Sequence, residues 1–253
     1  MNFNGIPILI GYERSGAIRR RFRARGFAAF SCDIHPADDG SPFHFTGPVQ
    51  NYFDAFKWAF AIFHPECTYL TGACAWAFSD PDFDRYPGGG YHQKLKPGTL
   101  TGAARRAARD ASVAEVRELL DLPFPKVIEN PVGFLSKAIR PADQIIQPNQ
   151  FGDDASKKTC LWMDEEVPLL KPTKLIAPRM VDGKPRWGNQ TDSGQNKLSP
   201  GDDRAQKRSE TFPGIADACA AQWGSWLLSR QAGDKSGVDS KGDTGFVTSG
   251  VLA

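Results

Sequence analysis

The chain has 253 residues, 40% of them apolar, with 17 Phe and six Trp, which is ample for a packed core and excludes global disorder. Its formal charge is only +2, so no whole-chain argument for a polyanionic partner holds, and only local basic stretches bear on that question. No stretch approaches the roughly 20 consecutive apolar residues that span a bilayer, so no membrane partner is expected.

In chain order, Ile6–Gly11 is a short β-branched run that ends on glycine and reads as a buried strand. Ser15 is placed to cap a following amphipathic helix containing Ala17, Ile18 and Phe22, which Gly26 stops. Phe27–Asp33 reads as a second strand, and strand–helix–strand over this length is a βαβ unit with parallel pairing. Trp58–Phe63 is a third strand, leading into His64-Pro65-Glu66-Cys67. Residues 79–100, rich in Gly, Pro and Asp, read as a long loop, and Thr101 as the cap of a helix over Gly102–Leu120. Lys126–Ile128 is a short strand feeding Glu129-Asn130-Pro131. From Gln147 to Gln206 the composition is that of a loop-rich lobe. Phe212–Ser229 returns to a helix, and residues 231–253 are expected to be a disordered tail. The expected organisation is a main domain over 1–162 and 209–230 with an inserted lobe at 163–208.

Met1 to Gly11 carries no basic start and no small-residue cleavage site, so no signal peptide is expected. Five cysteines at irregular spacing (Cys32, Cys67, Cys74, Cys160 and Cys219) point to reduced thiols and a cytoplasmic location. His64, Cys67 and Cys74 match no common zinc spacing, so no metal site is expected.

Two corners carry chemistry. Gly11-Tyr12-Glu13-Arg14-Ser15-Gly16 joins the first strand to its helix, and Asp33 ends the next strand, where an acid can bond ribose hydroxyls. The loop is not GxGxxG. Glu13 would repel a pyrophosphate, so a phosphate-free ligand with a cationic amino group, such as S-adenosylmethionine, fits better. An ordinary tight turn with a surface acid reads the same way. The second corner is Cys67 after one strand and Glu129-Asn130 after another, since carboxyl ends of parallel strands share one edge. A thiolate can add to C6 of cytosine while a carboxylic acid protonates N3, and C5 then becomes nucleophilic. That role needs an activated thiol and a Glu129 pKa raised by burial. A core cysteine and a Glu-Asn-Pro turn remain the plain alternative.

With these residues in view, the chain resembles the C5-cytosine DNA methyltransferases, and most closely the short methyltransferase-like proteins encoded by phages. The matching stretches are the strand–Gly11…Gly16–helix–Asp33 unit, His64-Pro65-Glu66-Cys67-Thr68-Tyr69-Leu70, Glu129-Asn130-Pro131-Val132-Gly133, and Arg208 to Trp223 with Thr211-Phe212-Pro213-Gly214. The resemblance implies a Rossmann-like α/β methyltransferase fold with a small lobe, and DNA methylation of the kind found in restriction-modification. Cys67 would be the nucleophile, Glu129 the N3 proton donor, and Asn130 the residue that orients the loop. It further implies S-adenosylmethionine bound by Gly11, Tyr12, Glu13, Ser15, Gly16, Asp33, Ile34, His64 and Pro65. The chain departs from the family in having Glu66 where a proline precedes the nucleophile, and Gly47-Pro48-Val49 where an acid touches adenine. It also has Lys157-Lys158-Thr159-Cys160 where the family carries Gln-x-Arg-x-Arg.

The inserted lobe is short but basic. From Lys171 through Arg208 nine Lys and Arg face four Asp, and Lys94 to Asp110 carries five basic groups and one acid. Lys157, Lys158, Arg186, Trp187, Asn189, Gln190, Arg204 and Arg208 are the candidate DNA contacts. A free cytosine nucleotide is the alternative substrate. An inactive relative that binds DNA or counters restriction is the alternative from another class.

Overall fold

The computed structural model describes residues 5–72, 75–80, 82, 98–199 and 204–238. Seven strands form one sheet: β1 (Pro7–Gly11), β2 (Ala28–Asp33), β3 (His44–Thr46), β4 (Phe60–Phe63), β5 (Lys126–Pro131), β6 (Gln144–Ile146) and β7 (Thr159–Met163). Their spatial order is β3-β2-β1-β4-β5-β7-β6. The first five are mutually parallel, and β7 runs antiparallel between β5 and β6. This is a Rossmann-like α/β sheet whose order reverses beside β1, at the β1–β4 boundary, the position where such sheets open a ligand crevice.

Alternation along the strands divides the core in two. Ile8, Ile10, Phe60, Ile62 and Val127 face α1 (Ala17–Ala24) and the C-terminal helices. Leu9, Ala61, Phe63 and Ile128 face the opposite side, where α2 (Gly102–Leu120) packs with Val113, Val116 and Leu119. A short helix α3 (Leu135–Ala138) follows β5, and α4 (Arg204–Ser209) precedes the C-terminal helices. The expected single C-terminal helix is α5 (Pro213–Ala218), one π-helical turn at Cys219–Trp223, and α6 (Gly224–Val238). The π turn carries Trp223 into the core, where its indole N–H donates to the Pro168 carbonyl at 2.9 Å.

Several expectations are corrected. β5 runs to Pro131, so Glu129 and Asn130 lie on the strand rather than after it. The stretch read as lobe from Gln147 contains β7, a fully buried sheet strand. Helix α6 extends to Val238, past the expected start of a disordered tail; residues 239–253 lie outside the described residues. Thr101 flanks α2 without a side-chain cap, and Asp80 instead accepts the Ala103 N–H at 3.2 Å. Most of the long loop also lies outside the described residues, as does Cys74; Cys32, Cys67, Cys160 and Cys219 are free thiols. Among the described residues no helix is long and apolar enough to cross a membrane.

Beyond β7, Val167 and Leu170 still belong to the main core, and only then does the chain form the hairpin of β8 (Arg179–Val181) and β9 (Lys184–Arg186).

One polar cluster runs from beneath α1 to the surface. The Arg19 side chain is fully buried, donating to Ser31 Oγ at 2.8 Å and pairing with Asp39, which Arg20 also bonds at 2.8 Å. Burial raises the Asp39 carboxyl pKa, but the two guanidinium partners outweigh it and hold the group down at about 2. A depressed carboxyl stabilises the fold above its unfolded pKa, and that contribution is lost as pH falls through the folded value. Because Asp39 is exposed and solvent screens its ion pairs, we expect Asp39→Asn to cost about 1 kcal/mol at pH 7 and to flatten the loss of stability between about pH 4 and pH 2. Urea unfolding across that range measures it, and an unchanged acid limb would contradict the assignment.

Candidate active site

The parallel register of β4 and β5 pairs Phe63 with Ile128, which makes His64 and Glu129 the next cross-strand neighbours. Their side chains meet. His64 Nδ1 lies 3.0 Å from Glu129 Oε2, with side chains only 14% and 20% exposed. Facing a carboxylate, Nδ1 carries the proton and donates.

One residue on, Asn130 is buried, and its amide N–H donates to the Pro65 carbonyl at 3.0 Å. The turn that holds Cys67 is closed by the Leu70 and Thr71 N–H groups donating to the Cys67 carbonyl, at 3.0 and 3.2 Å. Further along, the Phe134 N–H donates to the Leu70 carbonyl at 2.7 Å, and Thr71 bridges Gly133. The thiol loop is thus pinned to the 130–134 segment at both ends. From the other side, the buried Arg105 donates to the carbonyls of Thr68 at 3.4 Å and Leu100 at 3.3 Å and lies over the rings of Tyr69 and Phe78.

Because β7 is antiparallel, its beginning reaches this same edge. Thr159 pairs with Pro131, and Lys157 just before it acts electrostatically on both Glu129 and Cys67. Burial pushes the Cys67 thiol pKa up, and Glu129 and Glu66 add to the rise against the opposing Lys157. For Glu129, burial works upward too, but the His64 bond, Lys157 and Thr159 prevail and its pKa falls below the usual carboxylate value. The raised Glu129 pKa that the sequence reading required is therefore corrected. At rest the site holds a thiol and a carboxylate. Between the sheet and the C-terminal helices, against His64, Glu129 and Lys157 but apart from Cys67, lies a cavity of about 20 Å³, room for a water molecule.

The glycine corner is filled by the chain itself. Glu13 is buried, and its carboxylate accepts the N–H groups of Ile18 at 2.5 Å and Arg19 at 3.3 Å, capping the α1 N-terminus. Its expected outward role toward a cationic amino group is corrected: both oxygens are engaged. Gly16, not Ser15, is the N-cap, in the left-handed region at φ 65°, and a Cβ there would strike the Arg19 guanidinium. Ser15 accepts the Ala17 N–H at 3.3 Å. A Cβ on Gly11 would overlap the Phe63 ring, so its bareness serves packing. The Tyr12 hydroxyl donates to Glu115 at 2.7 Å.

Asp33 and Ile34 differ from that corner. Asp33 closes β2 half-buried, bonding the His35 N–H at 2.9 Å, and Ile34 beside it is 67% exposed. An acid next to an exposed apolar side chain at the carboxyl edge suits a ribose and an adenine ring. The fit to S-adenosylmethionine thus rests on Asp33 and Ile34 and not on Glu13. His64, expected at the cofactor, presents its ring to Glu129, and Pro65 presents its carbonyl to Asn130.

The expected DNA contacts separate into groups. Lys157 is at the site, while Lys158 and Arg208 are exposed, and the Arg204 side chain is outside the described residues. Asn189 bonds the Ser156 backbone with both its oxygen, at 3.0 Å, and its nitrogen, at 3.1 Å. Gln190 accepts the Trp187 N–H at 3.2 Å, Trp187 reaches the Ile176 carbonyl at 3.4 Å, and Arg186 donates to the Asp192 carbonyl at 2.9 Å. The Asn189 bonds, with the Gly188 N–H donating to Asp154 at 2.8 Å, hold the lobe to the 154–156 segment, and the others lie within the lobe. The base-edge role expected of the Asn189 amide is corrected.

No family model matches the chain, and no curated protein matches it in sequence. Among solved structures, the Entamoeba histolytica methyltransferase EhMeth aligns at 13% identity and a TM-score of 0.40, covering 69% of this chain and 58% of its own. A mutant of Spodoptera frugiperda DNMT2 aligns at 13% identity and a TM-score of 0.36, covering 71% of this chain and 57% of its own. The chain thus spans under two thirds of the length of either structure.

Proposed function

We propose that the chain transfers a methyl group from S-adenosylmethionine to C5 of cytosine in DNA, with Cys67 as the nucleophile. The observation that carries this reading is the bond from Asn130 to the Pro65 carbonyl, which ties the thiol loop to the strand that bears Glu129. Asp33 and Ile34 would hold the ribose and adenine of the cofactor, which when bound supplies an electrophilic methyl on a sulfonium. The Cys67 sulfur adds to C6, Glu129 passes a proton to N3, and Lys157 offsets the negative charge gathered around both. In a duplex the target base leaves the stack to reach this edge.

The internal bonding of Asn189 and Gln190 favours a second reading, a free cytosine nucleotide, because fewer amides face outward to read a sequence. Methyl-labelled cofactor, offered with duplex DNA, single-stranded DNA and dCMP in separate reactions, separates the two. Nucleoside mass spectrometry should find 5-methylcytosine in a DNA arm. Label confined to dCMP would move the substrate, and no label in any arm would reject methyl transfer.

A further inference from the structure

We propose that His64 is a positioning residue that keeps Glu129 a carboxylate before the base arrives, so that the proton reaching N3 is the one that leaves the Cys67 thiol. This rests on the function proposed above and assigns the origin of its proton. The bond at 3.0 Å between two largely buried side chains on adjacent parallel strands is a fixed feature of the sheet edge, not a surface ion pair. His64 Nδ1–H holds Oε2 and the Thr159 side chain also bonds the carboxylate, whose two oxygens have lone pairs enough to take a proton as well.

The step then balances. The S–H bond breaks and its proton passes to Glu129. The sulfur pair forms the S–C6 bond, the C5–C6 π pair becomes a C4–C5 double bond, and the C4–N3 π pair takes the proton from Glu129. Thiol, carboxylate and neutral ring become thioether, carboxylate and neutral adduct, and His64 keeps its proton throughout. A Glu129 loaded with a proton in advance would leave the thiol proton without an acceptor.

Other charged groups reach this pair from every neighbouring element. Glu13 faces His64 from the β1–α1 loop, and Lys157 and Thr159 face Glu129 from the start of β7. Cys67, Cys160 and Cys219 each carry a thiol held protonated partly by Glu129.

The test follows alkylation of Cys67 by iodoacetamide against pH in the full chain, read at that peptide by mass spectrometry. It compares wild type, His64→Asn, His64→Ala, Glu129→Gln and the double variant His64→Ala with Glu129→Gln. Without the His64 bond, burial of Glu129 is less opposed, so its carboxyl takes a proton more readily and repels the thiolate less. His64→Ala should therefore raise alkylation at pH 7 about three- to tenfold, up to one pKa unit. His64→Asn, which keeps an N–H donor near Nδ1, should stay within about twofold of wild type. Glu129→Gln should raise the rate as His64→Ala does, and the double variant should rise no further. An unchanged rate in His64→Ala, an equal rise in His64→Asn, or a further rise in the double variant would each overturn the proposal. Failure of the methylation reading shows separately, as absence of 5-methylcytosine from wild type, and leaves this titration as it is.

Discussion

Replacing Cys67 with serine should cut methyl transfer to cytosine at least about a thousandfold, a loss of about 4 kcal/mol in transition-state stabilisation. Serine keeps the shape of the side chain, and the loop's hydrogen bonds run through backbone groups of Cys67, Leu70 and Thr71, so the turn survives. What disappears is the nucleophile. A thiol has an accessible thiolate form at neutral pH, whereas a hydroxyl needs a strong base held against it, and the neighbouring carboxyl Glu129 is held low and is a weak one. Stability of the variant should remain within about 0.5 kcal/mol of wild type, as for a partly exposed isosteric change. Equal labelling of DNA by both proteins would remove Cys67 from the reaction.

The second large effect is structural. Gly133→Ala should destabilise the fold by about 3 kcal/mol and abolish activity, because the new Cβ would overlap the carbonyl oxygen of Leu70. That oxygen is the acceptor for Phe134 N–H, so relief requires the 70–71 and 133–134 segments to part. Cys67 would then lose its fixed position beside Glu129. Gly72→Ala is the matched control, since a Cβ there meets nothing within 4 Å and should shift stability by less than about 0.5 kcal/mol. Thermal unfolding should show Gly133→Ala melting about 6–12 °C lower. Equal melting of the two variants would show that the approach at Gly133 is not tight.

Four of the five parallel strands were legible, β1, β2 and β4 as short apolar runs closed by Gly11, Asp33 and His64 and β5 as the run before Glu129; β3, only His44-Phe45-Thr46, is too short to show an apolar run. The antiparallel addition was not. β7 reads Thr-Cys-Leu-Trp-Met, an apolar run inside a stretch whose Pro, Gly and Lys content suggested only loops. The thiol and the Glu-Asn pair were found from type and strand position. Their electrostatics were not, because the sign of the shift on Glu129 depends on His64 and Lys157, residues 65 positions before it and 28 after it. The register itself was the available signal for His64: a residue just past one parallel strand sits beside the residue at the same level of the next. Glu13 was misjudged for a related reason. Its charge suggested a ligand, whereas an acid a few residues before a helix also answers the open N–H groups of that helix.

The grip of Arg105 on two carbonyls has a consequence for chain length. Asp80 meets the first turn of α2 through Ala103, and Leu100 is held by Arg105 from the same turn. Asp80 and the first turn of α2 therefore stand side by side, as two fixed posts. Closing a longer excursion between two such fixed posts adds only about 0.6 kcal/mol for each doubling of its length. The spacing of the two posts is thus set by Asp80, Ala103 and Arg105 themselves, and not by the number of residues that join them.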